Sequence, residues 1–550
     1  LVNGRRYAVL GVLAGALPLA FLVVFFGVPV AGMLQRGFFP HGHLDVIGVL
    51  RTLWRPRVAD VVRFTVVSST AATLLTLLLG VPTAYALHRL RFRGQGLLRG
   101  LVVAPFVLPT VVVGVAFRTL VGGTGPLAGL GLDGTPVAIV AALVFFNVSV
   151  VVRTVGPSWE GLDRRREEAA AALGASPVRV LTTVTLPALR PAILSAASVV
   201  FLFSATAFGV VLTMGGVRYA TVETEIYLLT TEFLDLRSAA ALCILQIVVV
   251  VALLAVAARA GAGRSGPVGR VAPRTARRAP GPRDLPALTV TGLVVVLVVA
   301  PMAALVVRSV RVDGAWSMSS YRALQSPRPG QGYVVPIGTA LDNSLRVAVD
   351  ATLLAVGLGV VVAVLVTRRS RQPGLRRVLT TFDGLFMLPL GVSAVTVGFG
   401  MLVTLDRPPV DFRGSPWLVP IAQAMVALPL VVRVVVPALR GIDERQREAA
   451  ATLGAGPLRV LWSVDLPLVW RPLLAATGFA FAVSLGEFGA TSFLARPDTP
   501  TLPVMVYHLI GQPGPGSFGT ALAASVVLGL VTGLVMAVVE RLRVGAVGAF

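Results

Sequence analysis

The sequence predicts an all-α integral membrane protein of about twelve transmembrane helices in two tandem six-helix repeats. Three observations lead there. Of 550 residues, 55% are hydrophobic and 13% charged, against roughly 25% charged in a soluble domain. Twelve apolar stretches approach the ~20 residues needed to cross a bilayer at ~1.5 Å rise per residue. A 27-residue segment recurs at a constant offset of 280, so that Gly161–Pro187 matches Gly441–Pro467 at 17 positions.

The expected spans of the first half run roughly over 7–34, 62–88, 97–120, 136–157, 193–214 and 239–259. Those of the second run roughly over 286–308, 344–367, 378–404, 415–437, 473–494 and 519–540. The sequence opens on Leu1 rather than methionine and is read as lacking a few starting residues. The stretch from Tyr7 to Leu34 is too long for the core of a signal peptide and reads as a retained helix.

Arginine sets the expected orientation. Arg5 and Arg6 precede the first span, and Arg89, Arg91, Arg93 and Arg99 follow the second. Arg164, Arg165, Arg166, Arg179 and Arg190 follow the fourth, whereas segment 121–135 has none. Positive residues concentrate in cytoplasmic loops, so both termini are expected in the cytoplasm. The segments 35–61 and 309–343 carry arginines on the expected outer side, where the rule weakens with length. The formal net charge of +23 thus follows topology. No basic domain with interleaved aromatics suggests a nucleic-acid partner.

Residues 260–285 are rich in Gly, Pro and Arg, a composition that reads as a flexible cytoplasmic linker. The expected organisation is a first repeat over 1–260 with its loop at 161–191, a linker over 261–285, and a second repeat over 286–550 with its loop at 441–472. The offset also pairs Arg153 with Arg433, Phe208-Gly209 with Phe488-Gly489, Tyr227 with Tyr507, and Leu108-Pro109 with Leu388-Pro389. Repetition on this scale indicates a pseudo-symmetric pair of bundles.

Each recurrent loop is expected between the fourth and fifth spans of its half. Glu168 to Leu173 and Glu448 to Leu453 are alanine-rich and favour helix. Gly174 and Gly454 stop that helix with a left-handed turn. Pro177 and Pro457 restart a second short helix, and Leu186-Pro187 and Leu466-Pro467 lead back to the membrane. The alanine face suits close approach by another protein.

These two loops resemble the EAA loops of permease subunits from binding-protein-dependent ABC importers, and the resemblance covers nearly the whole chain. Fusion of two permease halves is similar to thiamine-importer and ferric-iron-importer permeases. The resemblance implies that Glu168, Ala169, Ala170 and Gly174, with Glu448, Ala449, Ala450 and Gly454, form coupling helices seated on ATPase subunits. Asp163 and Asp443 precede them in register. It further implies two copies of a cytoplasmic ABC ATPase, an extracytoplasmic solute-binding protein, alternating access driven by ATP, and a bacterial inner-membrane location.

The sequence contains no lysine. A P-loop needs its lysine on the phosphates, so ATP-Mg is expected to be used by the partner ATPase while this chain binds no cofactor. The chain itself is expected to have no catalytic role. Cys243 is the only cysteine, which rules out an intrachain disulfide and argues against a cysteine-based metal cluster.

Candidate pathway residues follow from the cost of placing polar groups in a membrane. Glu487 lies within AVSLGEFGATSF and could meet a cationic substrate or simply reach water. Asn147 reads first as interhelical glue, with the pathway as an alternative. Glu223 and Glu225 lie in GGVRYATVETEIY, expected as an external loop or re-entrant turn. This segment and its counterpart resemble thiamine-importer permeases more closely than ferric-iron permeases, so thiamine is the expected solute and ferric iron the alternative. His41 and His43 alone do not make an iron site, since one needs more ligands and a defined geometry. A secondary carrier would also show twelve spans but leaves the duplicated loop unexplained.

Overall fold

A computed structural model describes residues 13–39, 42–262, 277–312, 314–325, 335–368, 373–407, 410–512 and 515–547. In the first half, α1 is Leu13–Phe38, α2 Val46–Leu53, α3 Pro56–Arg89, α4 Gln95–Val103, α5 Thr110–Val121 and α6 Pro136–Glu160. Then come α7 Arg164–Ala172, α8 Pro177–Ala205, α9 Gly209–Gly215, α10 Val222–Thr231 and α11 Leu236–Ala262. The second half holds α12 Leu285–Ser309, α13 Ile337–Thr367, α14 Pro373–Met387, α15 Ala394–Thr404 and α16 Leu418–Arg440. It ends with α17 Glu444–Thr452, α18 Pro457–Leu485, α19 Leu502–Gly511 and α20 Pro515–Val547. Among the described residues, strand is confined to two short antiparallel pairs, Arg311–Val312 with Ala315–Trp316 and Asp406–Arg407 with Val410–Asp411.

All twelve expected span positions hold helix. Among the described residues, nine helices are long and apolar enough to cross a membrane, and the bent pair α4–α5 makes a tenth. The expected straight spans at 97–120 and 378–404 are instead interrupted. The first bends by 107° between Val107 and Thr110, and the second breaks through a tight turn at Leu388–Gly391. Pro109 and Pro389 sit at these breaks, because proline lacks the N–H that would carry the helix through. The expected spans at 193–214 and 473–494 also end early, at Ala205 and Leu485.

Two compact units emerge, and neither coincides with a sequence half. One comprises 51–228 and 245–320, the other 1–50, 229–244 and 321–550. In the first unit α3 packs along α6, with α8 against both and α12 against α3 and α5. In the second α13 packs along α16, with α18 against both and α1 against α15. The leading span of each half therefore lies in the unit formed mainly by the other half.

Small residues allow the close packing. A Cβ on Gly80 of α3 would stand 2.7 Å from Val151 of α6, and one on Gly359 of α13 would stand 2.8 Å from Val431 of α16. Close backbone approach of this kind replaces the hydrophobic drive that lipid cannot supply. Hydroxyls inside the apolar helices bond back to their own carbonyls, as Thr65 does to Val61 O at 2.7 Å and Thr352 to Ala348 O at 2.6 Å.

The expected linker is ordered at its end. Residues 263–276 lie outside the described residues, but Arg278 donates to Asp284 at 2.7 and 2.6 Å and to the Tyr85 hydroxyl at 2.9 Å. Its backbone also pairs with Arg89 and Arg91, at 3.2 and 2.8 Å. A buried carboxylate at Asp284 holds this turn in place, so flexible composition does not extend to 285.

Candidate coupling helices and the buried carboxylates

The two recurrent loops fold alike. Asp163 and Asp443 are N-caps, each carboxylate accepting the backbone N–H two residues on at 3.0 Å. Such a cap satisfies one of the donors that a helix start leaves unpaired. At the other end Gly174 and Gly454 take φ of 84° and 83°, a left-handed conformation open to glycine without strain. The Gly174 N–H donates to Ala171 O at 3.0 Å and the Ala175 N–H to Ala170 O at 3.1 Å. The second copy repeats both bonds at 3.0 Å, from Gly454 to Ala451 and from Ala455 to Ala450. This paired closure is the Schellman motif.

Neither α7 nor α17 buries a residue. Glu168, Ala169, Glu448 and Ala449 are exposed, with Ala170 and Ala450 half-buried. Among the described residues, Glu168 pairs along its own helix, with Arg164 at 3.1 Å. Leu173 is 89% exposed and Leu453 88%. Val178, Leu458 and Trp462 are exposed nearby. Each loop thus presents leucine and alanine on a short, doubly capped helix.

The stretch after the glycine differs from expectation. Pro177 and Pro457 restart a helix as expected, but it is not short: α8 and α18 continue from them into the spans. A wider π turn precedes each proline, with Leu186 N–H bonded to Leu181 O and Leu466 N–H to Leu461 O. The extra residue absorbs the bond that Pro187 and Pro467 cannot make, and the helix continues.

Sequence reasoning missed the groups that hold these helices. Glu167 accepts from Arg89 at 2.7 Å and from the Thr185 hydroxyl at 2.9 Å. In the second copy Arg447 donates to Asp465 at 2.7 Å and to Leu439 O at 3.0 Å, while Arg368 reaches Asp465 at 3.1 Å. The signal was available as the exchange of Glu167 for Arg447 and of Thr185 for Asp465 across the 280-residue offset.

The candidate pathway residues are dispersed. Glu487 is buried at the break after α18 and accepts from Ala490 N at 2.8 Å, Thr491 N at 3.0 Å and the Thr491 hydroxyl at 2.5 Å. Thr491 in turn accepts from Gln423 at 3.1 Å. The carboxylate therefore caps the single turn Thr491–Leu494 instead of reaching water. Asn147 on α6 donates to Leu143 O at 2.9 Å and to the Ser204 hydroxyl at 3.2 Å, which is a link between α6 and α8. Its side-chain oxygen is buried and has no hydrogen-bond partner among the described residues.

Glu223 and Glu225 lie on α10 and are buried, so they belong to no solvated loop. Glu225 pairs with Arg57 at 3.0 and 2.7 Å, and Glu223 with Gln246. The start of α10 is held where Val222 N–H meets the Thr65 hydroxyl at 3.0 Å, and α19 is held likewise where Leu502 N–H meets Ser344 at 2.7 Å. His41 lies outside the described residues, and His43 is exposed. Among the described residues no three His, Cys, Asp or Glu side chains group closely enough to hold a metal ion.

A family profile described as binding-protein-dependent transport system inner membrane component matches residues 63–263 and 355–544. The chain is 28% identical over 555 residues to the thiamine transport system permease protein ThiP of Brucella abortus (strain 2308), covering 98% of this chain and 96% of that protein. It is 28% identical over 472 residues to ThiP of Escherichia coli (strain K12), covering 82% and 83%. It is also 36% identical over 200 residues to the molybdenum transport system permease protein ModB of Escherichia coli (strain K12), covering 34% of this chain and 85% of that protein.

Proposed function

The chain belongs to the family of binding-protein-dependent transport system inner membrane components, and from that premise we propose that it supplies both membrane halves of an ATP-driven thiamine importer. As a family member it is a multi-pass membrane permease of the ABC type and not itself an enzyme. One observation carries the energising part of the reading. Two helices, α7 and α17, are capped alike and present Leu173 and Leu453 to a partner. Two such helices in one chain suit two copies of an ATPase subunit, one per helix.

The arginine pattern supports a cytoplasmic position for these helices and both termini, which would leave the opposite face to a solute-binding protein. ATP-driven closure of the ATPase pair draws the helices together, and the spans rock between inward-open and outward-open states. Hydrolysis resets the cycle. The permease in this scheme is the link that makes two distant binding events energetically interdependent. Thiamine is favoured because relatives that align with most of this chain, in Brucella abortus and Escherichia coli, carry that name.

Uptake of labelled thiamine and of labelled ferric iron, in cells with and without this chain, tests the proposal. Chain-dependent, ATP-dependent thiamine uptake is expected. Uptake of iron alone would overturn the choice of solute, and uptake driven by an ion gradient without an ATPase would overturn the mechanism.

A further inference from the structure

We propose that Glu167 and Arg447 are positioning residues that lock each exposed helix to the span that follows it, through partly buried clusters joined by a hydroxyl and an arginine in the first half and by an ion pair of opposite polarity in the second. The inference rests on the coupling reading above and deepens it. A force applied at Leu173 or Leu453 must cross the glycine turn to reach the membrane. Gly174 and Gly454 make that turn in a left-handed conformation closed by backbone bonds, and the turn stands in open space, since a Cβ on either would meet nothing within 4 Å. Without a second attachment the chain would bend there and the span would stay still.

The second attachment is present in both halves. In the first, the Glu167 carboxylate on α7 reaches across the turn to Thr185 in the π turn of α8, at 2.9 Å, and to Arg89 at the end of α3, at 2.7 Å. In the second, the Arg447 guanidinium on α17 reaches Asp465 in the π turn of α18, at 2.7 Å, and Asp465 also receives Arg368 from the end of α13 at 3.1 Å. The same three elements are tied each time. Arg89 and Arg447 have side chains only 11% exposed, and that of Asp465 is 2% exposed, so these pairs are shielded from the screening that weakens surface pairs.

The polarity is reversed. The helix contributes the acid in the first half and the base in the second. The exchange extends to the end of the preceding span. Glu160 meets His88, Arg99 and Arg277 at 2.9, 3.3 and 3.1 Å, whereas its counterpart Arg440 meets Asp383 at 3.5 Å. An attachment from one half placed in the other would set like charges together, so each helix fits only its own half.

The test uses the full chain reconstituted in lipid vesicles with its ATPase and binding protein. Arg447→Glu sets a carboxylate against Asp465; adding Asp465→Thr reproduces the first half's arrangement within the second. Glu167→Arg and Glu167→Arg with Thr185→Asp make the converse pair. Two quantities are read: thiamine imported per ATP hydrolysed, and the distance distribution between spin labels at Arg445→Cys on α17 and Leu474→Cys on α18. Native Cys243 is buried.

Each single reversal is expected to cut thiamine per ATP by about tenfold or more and Arg447→Glu to broaden the label distances. Each double variant is expected to recover to within about threefold, the non-additive return that marks a direct pair. A role confined to folding would lower the yield of complex and leave the ratio unchanged, which would overturn the proposal. Doubles that assemble but stay uncoupled would overturn it too. If the wild-type chain imports no thiamine, the functional reading fails, while the label distances still decide whether the attachment is rigid.

Discussion

Glu487 illustrates how a carboxylate is kept inside an apolar chain. Its three donors all come from the next four residues, and they replace the water whose loss would otherwise be costly. Glu487→Ala would leave two backbone N–H groups and a hydroxyl without their acceptor, at about 1–3 kcal/mol for an orphaned buried group. A lower melting temperature of the purified protein in detergent is expected, with Glu487→Gln closer to wild type because one carbonyl oxygen remains. An unchanged melting temperature for the alanine variant would contradict the capping role. The sequence made Glu487 conspicuous by its position in an apolar run, but its partners depend on a helix break that the hydropathy pattern does not show.

Individual helices were legible where their determinants are local. Gly174 and Gly454 end α7 and α17 as expected, because a left-handed glycine acts within a few residues of the chain, whereas the caps at Asp163 and Asp443 start both helices earlier than the expected Glu168 and Glu448. The continuation of α8 through Pro187 was not legible, since it depends on a π turn placed one residue ahead of the proline. On these helices the exposed leucines are the groups to test. Leu173→Asp and Leu453→Asp would put a charge into the contact expected with the ATPase, where a central apolar anchor carries ~2 kcal/mol or more. Binding of the purified ATPase to the chain in nanodiscs should weaken by about tenfold or more for either variant, and binding at wild-type affinity would remove both leucines from that contact.

At the scale of the whole molecule, the compact units draw on both halves of the sequence. Residues 1–50 and 229–244 fall in the unit that holds 321–550, and 245–320 falls in the unit that holds 51–228. Fragments 1–262 and 277–550 produced together are therefore expected to co-purify, while either alone should aggregate for want of the helices the other supplies. Size-exclusion chromatography checks this, and a monodisperse fragment isolated alone would refute it. The sequence by itself determined the membrane class, the helical positions, the internal repeat and the glycine stop of both loops, because hydropathy and a left-handed glycine act over a turn or a span. Only the tertiary structure decided which unit each leading span joins, what pairs with Glu225, what supplies hydrogen bonds to Glu487, and what Glu167 and Arg447 contact. Those outcomes depend on residues far apart in the chain, or on breaks in helices, and the periodicity of a single segment carries no record of either.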